Sequence, residues 1–228
     1  MIRLWLVKNN MSEYYGIDKS WINAGLDLDL IHDIMRKIEE KRKTKEILPK
    51  QDDILNAIKL CPLDNVKVLI IGQDPYPSAE HAHGLAFSSL SKNTPASLKN
   101  IFKKQEQDFG CKHNTNLLTS WETQGVLLLN TALTFEGKET KFLREHTKLW
   151  APVIKNIFDI LKKRGHIIVM RWGAHAQKAG ECFENIETIT VMDTTHPSPL
   201  SAHRGFMNCN HFIKCNDILG KDCIDWST

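Results

Sequence analysis

Four short apolar runs, each ending in a loop of small or polar residues, constrain this chain more than any other feature. Val66-Lys67-Val68-Leu69-Ile70-Ile71 closes on Gly72 and the loop GQDPYP, and Val126-Leu127-Leu128-Leu129 closes on Asn130. His166-Ile167-Ile168-Val169-Met170 leads to Trp172-Gly173, and the run 186–192 leads to His196. Runs this short and this rich in branched side chains read as strands buried on both faces. Helical stretches are expected between them at 97–107, 148–163 and 174–181, with a last helix near 208–219. The alternation predicts an α/β fold, a single domain over residues 1–228 with a central four-stranded, mainly parallel sheet flanked by helices on both faces.

Ahead of the first strand, Ile31, Ile34, Met35 and Ile38 recur at helical spacing between charged residues, predicting an amphipathic helix over 28–44 capped by Asp27 or Asp29. A second helix, about 51–60, follows Pro49. Residues 1–45 are read as an N-terminal helical extension, and the basic run Lys41-Arg42-Lys43-Thr44-Lys45 as a solvated helix end whose cations complement the dipole. At 228 residues and 42% hydrophobic the chain can fill one sizeable core. No apolar stretch approaches the roughly 20 residues that span a bilayer, and the opening MIRLWLVKNN has no small-residue cleavage site. The expectation is a protein without membrane contact, cytoplasmic, or nuclear in a eukaryotic or viral setting.

Six cysteines are scattered with no CxxC pair, which argues against zinc or iron–sulfur ligation and for reduced, mostly buried thiols. A net charge of +3 is too mild to identify a nucleic-acid binder. Its distribution says more: from Thr194 to Asn216 there is no Asp or Glu, while His196, His203, Arg204, His211 and Lys214 all fall in that window, a composition suited to lying beside phosphates.

Open α/β sheets bind ligands outside the carboxyl ends of their strands, and there this sequence places its unusual polar residues. Asp74, Asn130 and His196 sit in successive strand-end loops, with the rings of Tyr76 and Phe87 nearby. An Asp–His pair suits general acid/base or electrostatic catalysis, and an amide with aromatic rings suits recognition of a planar heterocycle. Singly, each has an ordinary reading: a turn at Asp74-Pro75, a helix cap at Asn130, a core histidine at His196, core rings at Tyr76 and Phe87. A metal-dependent hydrolase using Asp74, His81 and His83 is disfavoured because alternating residues of an extended segment point to opposite faces. A serine hydrolase using Ser198 lacks a nucleophile elbow.

Five motifs, GQDPY at 72–76, HGLAFS at 83–88, GVLLLN at 125–130, WGAHAQ at 172–177 and HPSPLSAHRGF at 196–206, stand in the order found in the family 1 uracil-DNA glycosylases, which the chain resembles over about 47–226. The resemblance implies an enzyme that flips uracil out of DNA and hydrolyses its N-glycosidic bond with no cofactor and no metal. By the same resemblance Asp74 stabilises the cation-like sugar and positions water, and neutral His196 donates to uracil O2, an oxygen shared with backbone amides beside Gln73. Asn130 accepts from N3–H and donates to O4, Tyr76 walls off the C5 position and Phe87 stacks on the base. Ser97 and Ser198 match loops that pinch the DNA backbone, Leu200 matches the side chain that replaces the flipped base, and Gly173, Ala174 and Arg204 complete the expected DNA-binding set. Implied partners are uracil-containing single- or double-stranded DNA and a DNA-mimicking protein inhibitor, and the implied state is a monomer.

Three positions depart from the family pattern. Pro77 replaces a histidine after GQDPY, Ala174 replaces the serine of a Trp-Gly-Ser loop, and Ala96 replaces a proline before Ser97. The last two remove phosphate-side interactions that a backbone N–H can still supply, so weaker DNA affinity is expected rather than failed chemistry, with Arg171 a partial offset. The departures also admit a rival reading, a DNA-binding accessory protein that retains the fold with reduced activity.

Overall fold

The computed structural model describes residues 15–137 and 141–228, so the opening MIRLWLVKNN lies outside the described residues. In chain order the helices are α1 (Lys19–Asn23), α2 (Leu28–Arg42), α3 (Asn56–Leu60), α4 (Ala96–Phe109), α5 (Thr119–Thr123), α6 (Lys141–Arg164), α7 (Ala174–Ala179) and α8 (His211–Leu219). The strands are β1 (Ile47–Leu48), β2 (Val68–Gly72), β3 (Val126–Asn130), β4 (Phe135–Glu136), β5 (Ile167–Trp172) and β6 (Ile189–Thr194).

The four apolar runs form one four-stranded sheet in the order β3-β2-β5-β6, every neighbouring pair parallel. Every residue of β2, β3 and β5 is buried, as a sheet covered by helices requires, whereas β6, at the edge, is only half-buried. The chain leaves β2 toward β3 on one side, then returns across β2 to β5 on the other. Because crossovers between parallel strands are right-handed, this reversal sends the connecting helices to opposite faces. It also opens a crevice between β2 and β5 at their carboxyl ends, the place where such sheets bind ligands.

Element bounds differ from the sequence reading where local geometry intervenes. His166 adopts a φ of 50°, so β5 begins after it. The helix expected over 51–60 is a 3₁₀ turn, Gln51–Asp53, followed by the separate α3. Helix α6 runs back to Lys141 and carries Pro152 within it. A two-stranded antiparallel pairing, Ile47 with Glu136 and Leu48 with Phe135, is an addition to the expected architecture.

Asp27 caps α2 by accepting from Leu30 N at 3.0 Å, and Leu28, Ile31, Ile34, Met35 and Ile38 of that helix join the same buried cluster as the sheet. The basic end of α2 is not merely solvated. Arg42 donates to the carbonyls of Ile47, at 2.5 Å, and Pro49, and to the Gln51 side chain at 2.9 Å. Lys41 and Lys45 reach the buried Glu136 carboxylate at 3.2 and 3.5 Å. These cations therefore fasten α2 to the β1–β4 pair.

The expectation of mostly buried cysteines also fails. All six thiols are free, but only Cys61 and Cys215 are buried; Cys182 and Cys223 are exposed because they sit in and after 3₁₀ turns at the surface ends of α7 and α8. Among the described residues no helix is long and apolar enough to cross a membrane.

Candidate active site

Gly72 and Asn130 are register partners at the carboxyl ends of β2 and β3, so the loops that follow them start at one level. There a cavity of about 240 Å³ is lined by Gln73, Asp74, Tyr76, Phe87, Ser97, Asn130 and His196, among others. Seven of the residues expected from sequence thus meet around one pocket. The volume lies below the range typical of drug-sized sites and suits a single heterocyclic ring.

Asn130 is only 3% exposed, yet no hydrogen bond to its side-chain amide is found among the described residues. Its amide atoms are not among the fully enclosed unpaired ones; they open on the pocket, with donor and acceptor capacity free for complementary atoms. Gly72 makes room for it: a Cβ there would lie 2.1 Å from Asn130 Oδ1 and 2.7 Å from the Ala86 Cβ. Sequence reasoning takes Gly72 only as the end of a strand; the signal available is that two apolar runs close at equivalent points, which places one glycine beside one amide.

His196 is held in one tautomer. Its Nδ1 accepts from Ser198 N at 3.0 Å, so the neutral ring carries its proton on Nε2. Burial, aided by the nearby His175, lowers its pKa and keeps it neutral at pH 7. Gly173, with a φ of 92°, passes so close behind that a Cβ would lie 2.8 Å from the His196 Cβ. Burial disfavours the charged form of Asp74 as well, which for an acid moves the pKa the other way, pushing its carboxyl up from 3.8 to about 6. No hydrogen-bond donor to that carboxylate is found among the described residues, so its acceptor capacity is available to water or ligand.

The rings are braced from below. Phe87 adopts a φ of 64°, rare for a residue with a side chain, and its carbonyl accepts from the Tyr76 hydroxyl at 2.9 Å. Its ring packs 5.4 Å from Trp172 and 5.8 Å from His196, and Trp172 in turn packs edge-on against Phe206 at 5.1 Å. Trp172 is legible in the sequence only as part of a motif, not as the support of Phe87. The Gln73 carbonyl accepts from Ala132 N at 2.9 Å and from the Thr131 hydroxyl at 3.0 Å, fixing the peptide that leads into Asp74. Since that hydroxyl's one proton goes to Gln73, His175 Nε2, 2.7 Å away, donates to it.

The remaining expected residues lie around the mouth. Ser97 is in the first turn of α4, where unsatisfied backbone N–H groups favour an anion. Asn100 of that helix donates to Pro197 O at 2.8 Å, tying α4 to the loop after β6. In that loop Ser201 Oγ donates to His196 O at 2.8 Å, Arg204 donates to Leu200 O at 3.1 Å, and Leu200 stands 80% exposed at the tip. Ala174 is exposed at the start of α7. Arg171 is no offset for a phosphate contact: it is buried and paired with Asp193 at 2.6 Å and Glu184 at 2.8 Å.

The two hydrolase alternatives find no geometry. His81 and His83 are engaged by different serines, Ser89 and Ser88, each at 2.7 Å, and no metal-holding group of three or more acidic, His or Cys side chains occurs among the described residues. Ser198 Oγ lies 3.1 Å from Ser201 Oγ rather than against a base.

The chain resembles known proteins in both sequence and fold. The profile of the Uracil DNA glycosylase superfamily matches residues 58–220. The uracil-DNA glycosylase of Agathobacter rectalis is 38% identical over 220 residues, covering 92% of this chain and 96% of that protein. The Yersinia pestis (strain Pestoides F) uracil-DNA glycosylase is 44% identical over 195 residues, covering 82% and 84%. In fold, the chain matches mimivirus uracil-DNA glycosylase with a TM-score of 0.76 at 24% identity over 96% of this chain and 99% of that one. A mimivirus UNG variant in complex with UGI matches with a TM-score of 0.82 at 24% identity, over 95% and 90%.

Proposed function

The chain belongs to the uracil DNA glycosylase superfamily, and from that premise we propose that its pocket receives a uracil flipped out of DNA and that Asp74, Asn130 and His196 carry out its release. The products are free uracil and an abasic site. The observation that carries this assignment of residues is the buried, unpartnered Asn130 amide facing the same cavity as a histidine whose only free ring proton is on Nε2.

In the reaction the bond between sugar C1′ and uracil N1 breaks, its electron pair leaving with the base. The ionised Asp74 carboxylate balances the positive charge that develops on the sugar and orients the water that attacks C1′; the water's proton passes to that carboxylate and on to solvent, from which the departing uracil anion takes up one proton. His196 Nε2–H donates to uracil O2 as negative charge collects there, a bond worth more in the transition state than in the ground state. Asn130 reads the base: its oxygen accepts from N3–H and its nitrogen donates to O4, a pattern cytosine reverses. Tyr76, fixed by its bond to Phe87, closes the pocket against a C5 methyl, and Phe87 stacks on the ring. Gln73 contributes a fixed backbone, while Ser97, Ser198 and the amides at Gly173 and Ala174 hold phosphates, Leu200 fills the vacated stack and Arg204 braces its turn.

Residues 1–228 act as one unit in this reading, the N-terminal helices fastened to the sheet, and the protein works as a monomer inside the cell. The UGI complex of a mimivirus relative supports a DNA-mimicking inhibitor as a second partner. The test is a set of oligonucleotides carrying uracil, cytosine or thymine at one position. Free base is released from the uracil substrate alone, and Asn130→Asp releases cytosine as well; an unaltered preference in that variant contradicts the role given to Asn130.

A further inference from the structure

Helix α4 starts at the pocket rim with Ser97 and then runs on for nearly four turns. Beyond Ser97 it exposes Lys99 and Lys103, which share a face at i and i+4, about 6 Å apart along the axis. The loop that follows adds the exposed Lys112. These three lysines line one open groove of about 600 Å³ together with Thr94, Phe102 and His113. Glu106 is the one acid in its lining. None of the three lysines has an ion-pair partner among the described residues, whereas Lys104, on the buried side of the same helix, is paired with Asp108.

The groove is rigid and fixed relative to the reaction site. Phe102 and His113 stack with ring centroids 3.9 Å apart and planes 8° from parallel, and His113 Nδ1 lies 3.0 Å from the Thr228 hydroxyl. Asn100 ties the helix to the loop that carries Leu200. A row of cations without ion-pair partners that begins two residues, about half a turn, beyond a rim serine matches a strand of phosphates that continues past the pocket. Neighbouring phosphates of a duplex strand advance by about 3.4 Å, so the Lys99–Lys103 spacing corresponds to roughly two nucleotide steps.

We propose that the Lys99, Lys103 and Lys112 face of α4 extends the DNA-binding surface, gripping phosphates of the uracil-bearing strand a few nucleotides beyond the flipped base. The proposal rests on the glycosylase reading above. It offers a compensation for the serine replaced by Ala174: backbone grip moved along the strand rather than abolished.

The test compares the variant Lys99→Gln/Lys103→Gln/Lys112→Gln with a control of equal charge change, Lys19→Gln/Lys37→Gln/Lys163→Gln. DNA affinity is read by fluorescence anisotropy on a long single-stranded oligonucleotide across a salt series, and uracil release is read on that oligonucleotide and on a trinucleotide with a central uracil. For the α4 variant the plot of log affinity against log salt becomes shallower by about 2, from roughly 0.7 for each single-strand phosphate no longer neutralised by a lysine. Its deficit in affinity therefore shrinks on the order of 15- to 20-fold between 50 and 200 mM salt. The control keeps the wild-type slope, and the α4 variant cleaves the trinucleotide as the wild type does. A wild-type slope in the α4 variant, an equal change in the control, or an equal drop on the trinucleotide overturns the proposal. Wild-type protein that binds DNA but releases no uracil refutes the glycosylase reading instead, and the slopes still decide the surface.

Discussion

Replacing Asp74 by Asn should stabilise the fold while destroying its activity, and the stabilisation should depend on pH. The folded protein holds the Asp74 carboxyl at about 6 because burial penalises its charge, against 3.8 for the free group. Between those values the folded state keeps a proton that the unfolded chain has released, so stability falls as pH rises through that window. At pH 7 the cost of carrying the ionised carboxylate is about 3 kcal/mol, at 1.36 kcal/mol for each pH unit. Asn fills nearly the same space without the charge. The difference between the two proteins should be small at pH 4, grow to pH 6.5 and reach about 3 kcal/mol at pH 7, or roughly 6 °C in Tm for a chain of this size. Urea unfolding followed by tryptophan fluorescence, at intervals from pH 4 to 8, measures it. Any fixed packing effect of Asn shifts the two curves equally at all pH values, so the diagnostic quantity is the change with pH. Curves that stay parallel, or a variant that loses ground as pH rises, would refute the claim that burial of Asp74 is a cost the fold bears for its chemistry.

The pH dependence of kcat/KM should show a single acid limb. As pH falls through about 6 Asp74 takes up a proton and loses the charge the sugar cation needs, while burial holds the pKa of His196 below its ordinary value and so delays its protonation; activity that is flat from pH 8 to 5 would remove Asp74 from the role given. Tyr76→Ala should excise thymine measurably while still excising uracil, because the ring, held by its bond to the Phe87 carbonyl, is the wall at C5; no gain on thymine places the wall elsewhere. Gly72→Ala should lower kcat/KM for uracil by roughly 5- to 160-fold, the 1–3 kcal/mol of an overpacked site, since the added methyl collides with the Asn130 amide; unchanged kinetics would mean that the amide need not sit where it does.

Much of the fold is legible because fully buried parallel strands leave an unambiguous trace: Val68–Gly72 and Val126–Asn130 are apolar on both faces and end at turn residues. The β1–β4 pair leaves none, since two residues per strand carry no periodicity, and the start of α6 is hidden because the stretch 141–147, ahead of the helix read at 148–163, is mostly polar. The pocket residues are visible as chemistry at strand ends, but their settings are not. The tautomer of His196 depends on an amide two residues away, the freedom of the Asn130 amide on a glycine of another strand, and the strained backbone of Phe87 on packing against Trp172. Arg171 shows the reverse limit: its charge suggests a surface role, and only the positions of Asp193 and Glu184 reveal that it is spent inside the protein.

The most direct test of the account is release of free uracil from single- and double-stranded oligonucleotides containing one uracil, in the presence of EDTA, with Asp74→Asn and His196→Ala assayed beside the wild type. The account predicts chelator-insensitive release by the wild type that falls steeply in both variants while DNA binding persists. Folded wild-type protein that binds the DNA yet releases no uracil, or variants that retain full release, would contradict it.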